Sequence, residues 1–228
     1  MSFILNIDTA TELAHVSIAK DGIVLKSYQN ELQKDHGSFL QPAVQQLCKD
    51  TEIELKNIDA ISVTGGPGSY TGLRVGLASA KGLCYALSKP LIMLNTLEVL
   101  TASAFSTAND TLTEDTNLFC AMIDARRMEV FAAIYDKQLT ESLSPCAMIL
   151  HEHSFQEQLK KDHISFFGSG SEKWKVICHE QNASFIKVAI KPEAMGALSF
   201  TRFSMSKFYD AAYSEPFYLK EFQTVTKL

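Results

Sequence analysis

The residues from Thr64 to Gly72 read TGGPGSYTG, and they come between an apolar run and a helix-like stretch. Gly65, Gly66 and Gly68 permit backbone shapes closed to other residues. Consecutive N–H groups in such a turn, backed by a helix N-terminus, can converge on a phosphate. The same turn equally serves tight packing of strand on helix, and local physics divides evenly between the two. The spacing is neither G-x-x-x-x-G-K-[ST] nor G-x-G-x-x-G. Asp8 ends the run FILNID, where a carboxylate can orient a hydrated Mg²⁺ or close an Asx turn on the amides of Thr9 and Ala10. Asp8, Gly65, Gly66, Gly68 and Ser69 are therefore the candidate nucleotide site.

Other chemistry is thin. His151 and His153 lack a further nearby ligand, and no G-x-S-x-G, H-E-x-x-H or paired-carboxylate pattern occurs, so no catalytic and no metal residues are assigned. The five cysteines are odd in number and contain no C-x-x-C, which reads as reduced, buried thiols. Net charge is -5, which argues against a chain that grips nucleic acid alone but leaves room for a local basic patch. The absence of a leader or a long apolar run places the chain in the cytoplasm, with no membrane partner.

The elements that must hold these residues follow from periodicity. FILNID, LAHVSIA and IVLKSY read as three antiparallel strands, with Asp21-Gly22 as a hairpin turn. Leu40, Ala43, Val44 and Leu47 recur at helical spacing over 38–50, with Ser38 as cap and Pro42 near the first turn. IDAISVTG is a buried strand, 71–88 a helix, and PLIMLN a further strand. In that second helix Gly72, Gly76 and Ala80 form a small-residue stripe, flanked by Lys81, on which another helix or the chain's own neighbour could lie. The polar stretch 106–117 divides the chain into lobes 1–105 and 106–228, with the last helix able to pack back on the first lobe. Beyond it the opening recurs: Ile7-Asp8 and Ile123-Asp124 are 116 residues apart, as are Ile18 and Ile134. Short helices near 152–161 and after GSG at 168–170, and a longer one over 193–209, complete the reading. The pattern predicts an α/β fold of two ribonuclease H-like lobes, mixed sheets with helices, as in the actin, hexokinase and Hsp70 ATPase superfamily.

The stretch GGPGSYTGLRVGLASAKGL, with ILNIDTA at the start, IDARRMEVFAAIYD, SEPFYLK and DHGSFLQPAVQQL, resembles the TsaB (YeaZ) family along the whole chain. That resemblance implies a non-catalytic, pseudoenzyme subunit that activates TsaD in tRNA threonylcarbamoyladenosine modification, the transfer being to the adenosine next to the anticodon. TsaD carries a metal-binding H-x-x-x-H in a segment similar to NTLEVL. Here the two histidine positions are Thr96 and Leu100, which are a poor ligand and none. The resemblance further implies a TsaD heterodimer joined by TsaE, a homodimer of the isolated chain, and tRNA only within the complex. No cofactor is required, with ATP or ADP admitted only at the complex interface. The implied docking surface is Phe39, Leu40, Ala43, Val44, Leu47, Leu73, Arg74, Gly76, Leu77, Ala80 and Leu83. Arg74 reads either as a salt bridge anchoring its helix or as a partner or nucleotide contact. A nucleotide-dependent kinase of the same fold is the alternative, with GSG at 168–170 as second phosphate turn but no clear base. A glycoprotease-type peptidase has no nucleophile or zinc set behind it.

Overall fold

The structure is a computed structural model and describes residues 1–30, 35–107 and 116–220. Two five-stranded sheets form the frame. In the first, β1 (Phe3–Asp8), β2 (His15–Lys20), β3 (Ile23–Gln29), β4 (Ala60–Gly66) and β5 (Leu91–Asn95) lie in the order β3-β2-β1-β4-β5. β1 pairs antiparallel with β2 and parallel with β4, which pairs parallel with β5. The second sheet contains β6 (Thr116–Asp124), β7 (Glu129–Tyr135), β8 (Glu141–Ile149), β9 (His163–Phe167) and β10 (Ala183–Phe185), in the order β10-β9-β6-β7-β8. Its directions repeat the first, with β6 antiparallel to β7 and parallel to β9. Each lobe is thus a meander followed by parallel strands, the ribonuclease H-like arrangement, given twice.

Strand alternation divides each sheet between two cores. Leu5, Ile7, Val16, Ile18, Ile61 and Val63 face outward against α1 (His36–Thr51) and α2 (Tyr70–Leu87). Ile4, Ala60, Ile92 and Leu94 point the other way. They join Phe119, Ala121, Ala133 and Tyr135 of the second sheet in a central core filled by α3 (Thr96–Thr107) and α6 (Pro192–Ser204). The outer core of the second lobe gathers Phe155, Phe166 and Trp174 beneath the short helices α4 (Gln156–Leu159) and α5 (Ser171–Lys175). The layers run helix, sheet, helix, sheet, helix. α6 comes from the second half of the chain and packs on β1, β2 and β3 of the first sheet. No described helix is long and apolar enough to cross a membrane.

α1 begins earlier than its pattern predicts. It starts at His36, so Pro42 is in the second turn and not the first; Ser38 Oγ bonds back to the Asp35 carbonyl instead of capping. α2 is bounded by its local chemistry. Ser69 caps it, its Oγ accepting from Gly72 N at 3.3 Å, and Ser88 turns left-handed just before Pro90.

Candidate functional site

The glycine turn is built against the end of β1. Gly66 has φ +120, a region L-residues rarely enter. A Cβ on Gly68 would stand 2.3 Å from Ala10 O, and one on Gly72 2.0 Å from Thr9 O. Ser69 N donates to Ala10 O at 2.7 Å, and Thr9 Oγ1 donates to Gly72 O at 2.7 Å. The turn therefore presses its backbone onto Thr9 and Ala10, and Ala10 O takes a donor that an anion would use. The small-residue stripe of α2 has the same explanation: a Cβ on Gly76 would reach Thr9 Oγ1 at 2.2 Å. That side of the stripe receives Thr9, just beyond β1, together with Val63 of β4 and, at Gly72, the ring of His36 at the start of α1.

Asp8 closes an Asx turn. Its Oδ1 accepts from Ala10 N at 3.0 Å and Thr64 Oγ1 at 2.7 Å, while buried Oδ2 has no hydrogen-bond partner among the described residues. His15 stands opposite Asp8 in the β1–β2 register. Burial pulls its imidazole below the usual range, with Asp8 and Glu193 pulling the other way. Asp124, the counterpart at the end of β6, is exposed, and Lys173 Nζ sits 2.7 Å from its Oδ1. The turn at 168–170 packs like the first: a Cβ on Gly168 would meet Met122 O at 2.3 Å, and Gly170 N donates to Met122 O at 3.1 Å.

The NTLEVL segment opens α3. Asn95 Oδ1 accepts from Leu97 N at 2.9 Å and caps the helix; Thr96 and Leu100 are buried; Glu98 pairs with Arg202 Nη2 at 2.6 Å. Among the described residues no group of three or more His, Cys, Asp or Glu side chains could hold a metal ion. His151 and His153 lie with ring centroids 6.5 Å apart on an exposed loop. The five cysteines are free, and burial raises their thiols, Cys84 to about 11.

The implied docking residues divide by burial in this chain. Leu40, Ala43, Val44, Leu47, Leu73, Gly76, Leu77 and Ala80 are buried within this chain, most of them in the outer core of the first lobe. Those side chains are spent chiefly on the chain's own packing. Phe39 and Leu83 are half-buried in the same core, and only Arg74 is exposed. The helical period marked the inward face because that face carries the apolar residues. The outward face of α2 is Thr71, Arg74, Ala78, Gly82 and Tyr85, with Tyr85 90% exposed.

Arg74 makes no salt bridge among the described residues, which corrects the first of its two readings. Its Nε donates to Tyr218 Oη at 3.1 Å, and its guanidinium lies 4.1 Å from the Tyr70 ring centroid. Tyr218 belongs to a C-terminal strap whose course no sequence period reveals. Tyr209 N donates to Leu91 O at 2.9 Å, Lys81 Nζ to Ala212 O and Ser214 O, and Phe217 N to Gly65 O at 2.6 Å. The sequence signal there is the SEPFYLK motif, which the resemblance singles out without giving its course. Between strap and β5 lies a cleft of about 410 Å³, lined by Gly65, Gly66, Met93, Asn95, Glu215 and Phe217 among others.

Comparison with known proteins bears on this site. Residues 24–209 match the family model described as TsaD, tRNA N6-adenosine threonylcarbamoyltransferase. The Escherichia coli tRNA threonylcarbamoyladenosine biosynthesis protein TsaB is 29% identical over 95% of this chain and 94% of its own length. The Bacillus subtilis protein of the same name is 32% identical over 58% of this chain. The match spans only about half (54%) of that relative's length. A Pseudomonas aeruginosa crystal structure, described as an uncharacterized protein with similarity to peptidase YEAZ, has the same fold. It gives a TM-score of 0.82 at 24% identity, covering 96% of this chain and 100% of that one. The chain belongs to the family of the threonylcarbamoyltransferase TsaD, and within it to the relatives named TsaB.

Proposed function

We propose that this chain is a non-catalytic subunit of the machinery that makes threonylcarbamoyladenosine on tRNA, supporting a TsaD-type transferase and not performing the transfer. The observation that carries this reading is the filled glycine turn. Thr9 and Ala10 occupy the backbone surface where a phosphate would have to settle. The burial of Thr96 and Leu100, at positions where TsaD has metal-binding histidines, supports it further. Tyr70, Arg74 and Tyr218 lock the head of α2 to the strap. α2 then offers its outward face, small at Ala78 and Gly82 and aromatic at Tyr85, as a fixed surface for a partner helix. In this reading the partners are the TsaD-type chain, a TsaE-type ATPase and a second copy when alone. The cell compartment is the cytoplasm, no cofactor is required, and ATP or ADP enters only at the complex interface.

The test is co-expression of the tagged chain with the TsaD-type protein of the same organism. A stoichiometric complex is expected. Threonylcarbamoyl transfer to tRNA should need both chains, with none from this chain alone. Transfer by this chain alone would refute the reading.

A further inference from the structure

The β6–β7 hairpin carries two arginines that nothing above employs. Arg126 and Arg127 are adjacent, exposed and both left-handed, with φ +71 and +49. Asn, Asp and Gly are the residues that enter this region readily; other side chains are there under strain. The tip is nonetheless firmly tied. Arg126 N donates to Asp124 Oδ1 at 2.6 Å, Glu129 N to Arg126 O at 3.0 Å, and Leu150 N to Met128 O at 2.7 Å.

The charges around the tip are arranged unevenly. Among the described residues neither guanidinium has an ion-pair partner. The nearby acids are already taken, Asp124 by Lys173 and Glu129 by Lys220, each at 2.7 Å. Four cations thus meet two carboxylates, in a chain whose net charge is -5. Two neighbouring guanidinium forks with free donors, held on a fixed tip, suit the oxygens of a phosphate chain. The tip stands apart from the cleft, which neither arginine lines. A lone nucleotide needs an enclosing pocket for its base, whereas an exposed tip suits a polymer that other contacts hold in place.

We propose that the Arg126–Arg127 tip is a phosphodiester-binding site and that its ligand is the backbone of the tRNA brought to the complex. This rests on the subunit role argued above. The chain's acidity explains why the contact needs the partner: two arginines add a local grip to RNA held mainly elsewhere.

The test uses the complex of the full chain with its TsaD-type partner. The double variant Arg126→Asn/Arg127→Gly places residues this turn favours, so the fold should hold and its melting temperature stay level or rise. Binding of fluorescent unmodified tRNA is followed by anisotropy from about 50 to about 200 mM KCl. The salt slope of log K should become shallower by about 1 to 2, with affinity at low salt about tenfold weaker. Fluorescent ATP should bind the complex as before, and Arg126→Lys/Arg127→Lys should keep most of the slope. An unchanged slope and affinity in an intact complex overturn the RNA site alone. Lost ATP binding with unaltered RNA binding overturns it in favour of a nucleotide site. A wild-type chain that never assembles with the partner overturns the subunit role and the RNA site together.

Discussion

Gly82 lies on the exposed side of α2, and no heavy atom comes within 4 Å of where its Cβ would stand. Inside the chain nothing requires a glycine there, and it weakens the helix by about 1 kcal/mol relative to alanine. Gly82→Arg should therefore stabilise the isolated chain by roughly 0.7 kcal/mol, the difference between the two helix propensities. For a chain of this length that is a rise in melting temperature of about 2 °C. If a partner helix lies on this face, the same arginine meets it with a bulky charged chain. Forcing such volume into a packed contact costs about 1–3 kcal/mol, so affinity should fall by about 5- to 150-fold. The assay pairs a thermal melt of the variant with titration against the TsaD-type partner, and Lys137→Glu on the distant β7–β8 hairpin serves as control. A raised melting temperature with unaltered partner affinity would refute docking through the outward face of α2. Leu77→Glu cannot serve this purpose, because Leu77 is buried and the variant would unfold the first lobe.

Two further outcomes are expected. Gly72→Ala drives a Cβ to within 2.0 Å of Thr9 O and should destabilise the chain by about 2 kcal/mol or more in urea unfolding. Gly37→Ala, with nothing within 4 Å, should instead be neutral or slightly stabilising; equal effects would contradict the packing role given to the turn. The second outcome concerns acid. Burial holds the His15 pKa below 6.5, so as pH falls through about 6.5 the unfolded chain gains a proton that the folded chain refuses. Stability should decline below that pH and be level with respect to His15 above it. His15→Gln should flatten this part of the urea-midpoint profile, and an unaltered profile would exclude His15 as its source.

Much of the frame was legible because each lobe writes its strands with clear alternation. The 116-residue spacing of Ile7-Asp8 and Ile123-Asp124 does mark a structural repeat, with each pair at the end of the first strand of its sheet. α3 escaped notice for a physical reason. It lies between the two sheets and buries Leu97, Val99, Leu100, Thr101, Ser103 and Ala104, so it has no polar face and no helical stripe. β8 was missed because its residues are mostly half-exposed at a sheet edge and include Pro145. At the candidate site, the sequence identified the turn and the helix but not their orientation. Apolar periodicity finds the face a helix buries, and here that face belongs to the first lobe's own core. Of the boundary stretch 106–117, residues 108–115 lie outside the described residues, while its ends belong to α3 and β6.

The strap has a mechanical consequence. Starting from Tyr209 on β5, it runs past α2 and the glycine turn, and ends with Lys220 held 2.7 Å from Glu129 of the second lobe. One continuous segment therefore walls the cleft and ties the first lobe to the second. A hinge motion that opened the lobes would have to break the Lys220–Glu129 pair or else peel the strap, with its Phe217–Gly65 bond, from the first lobe. The chain is built as a clasped block.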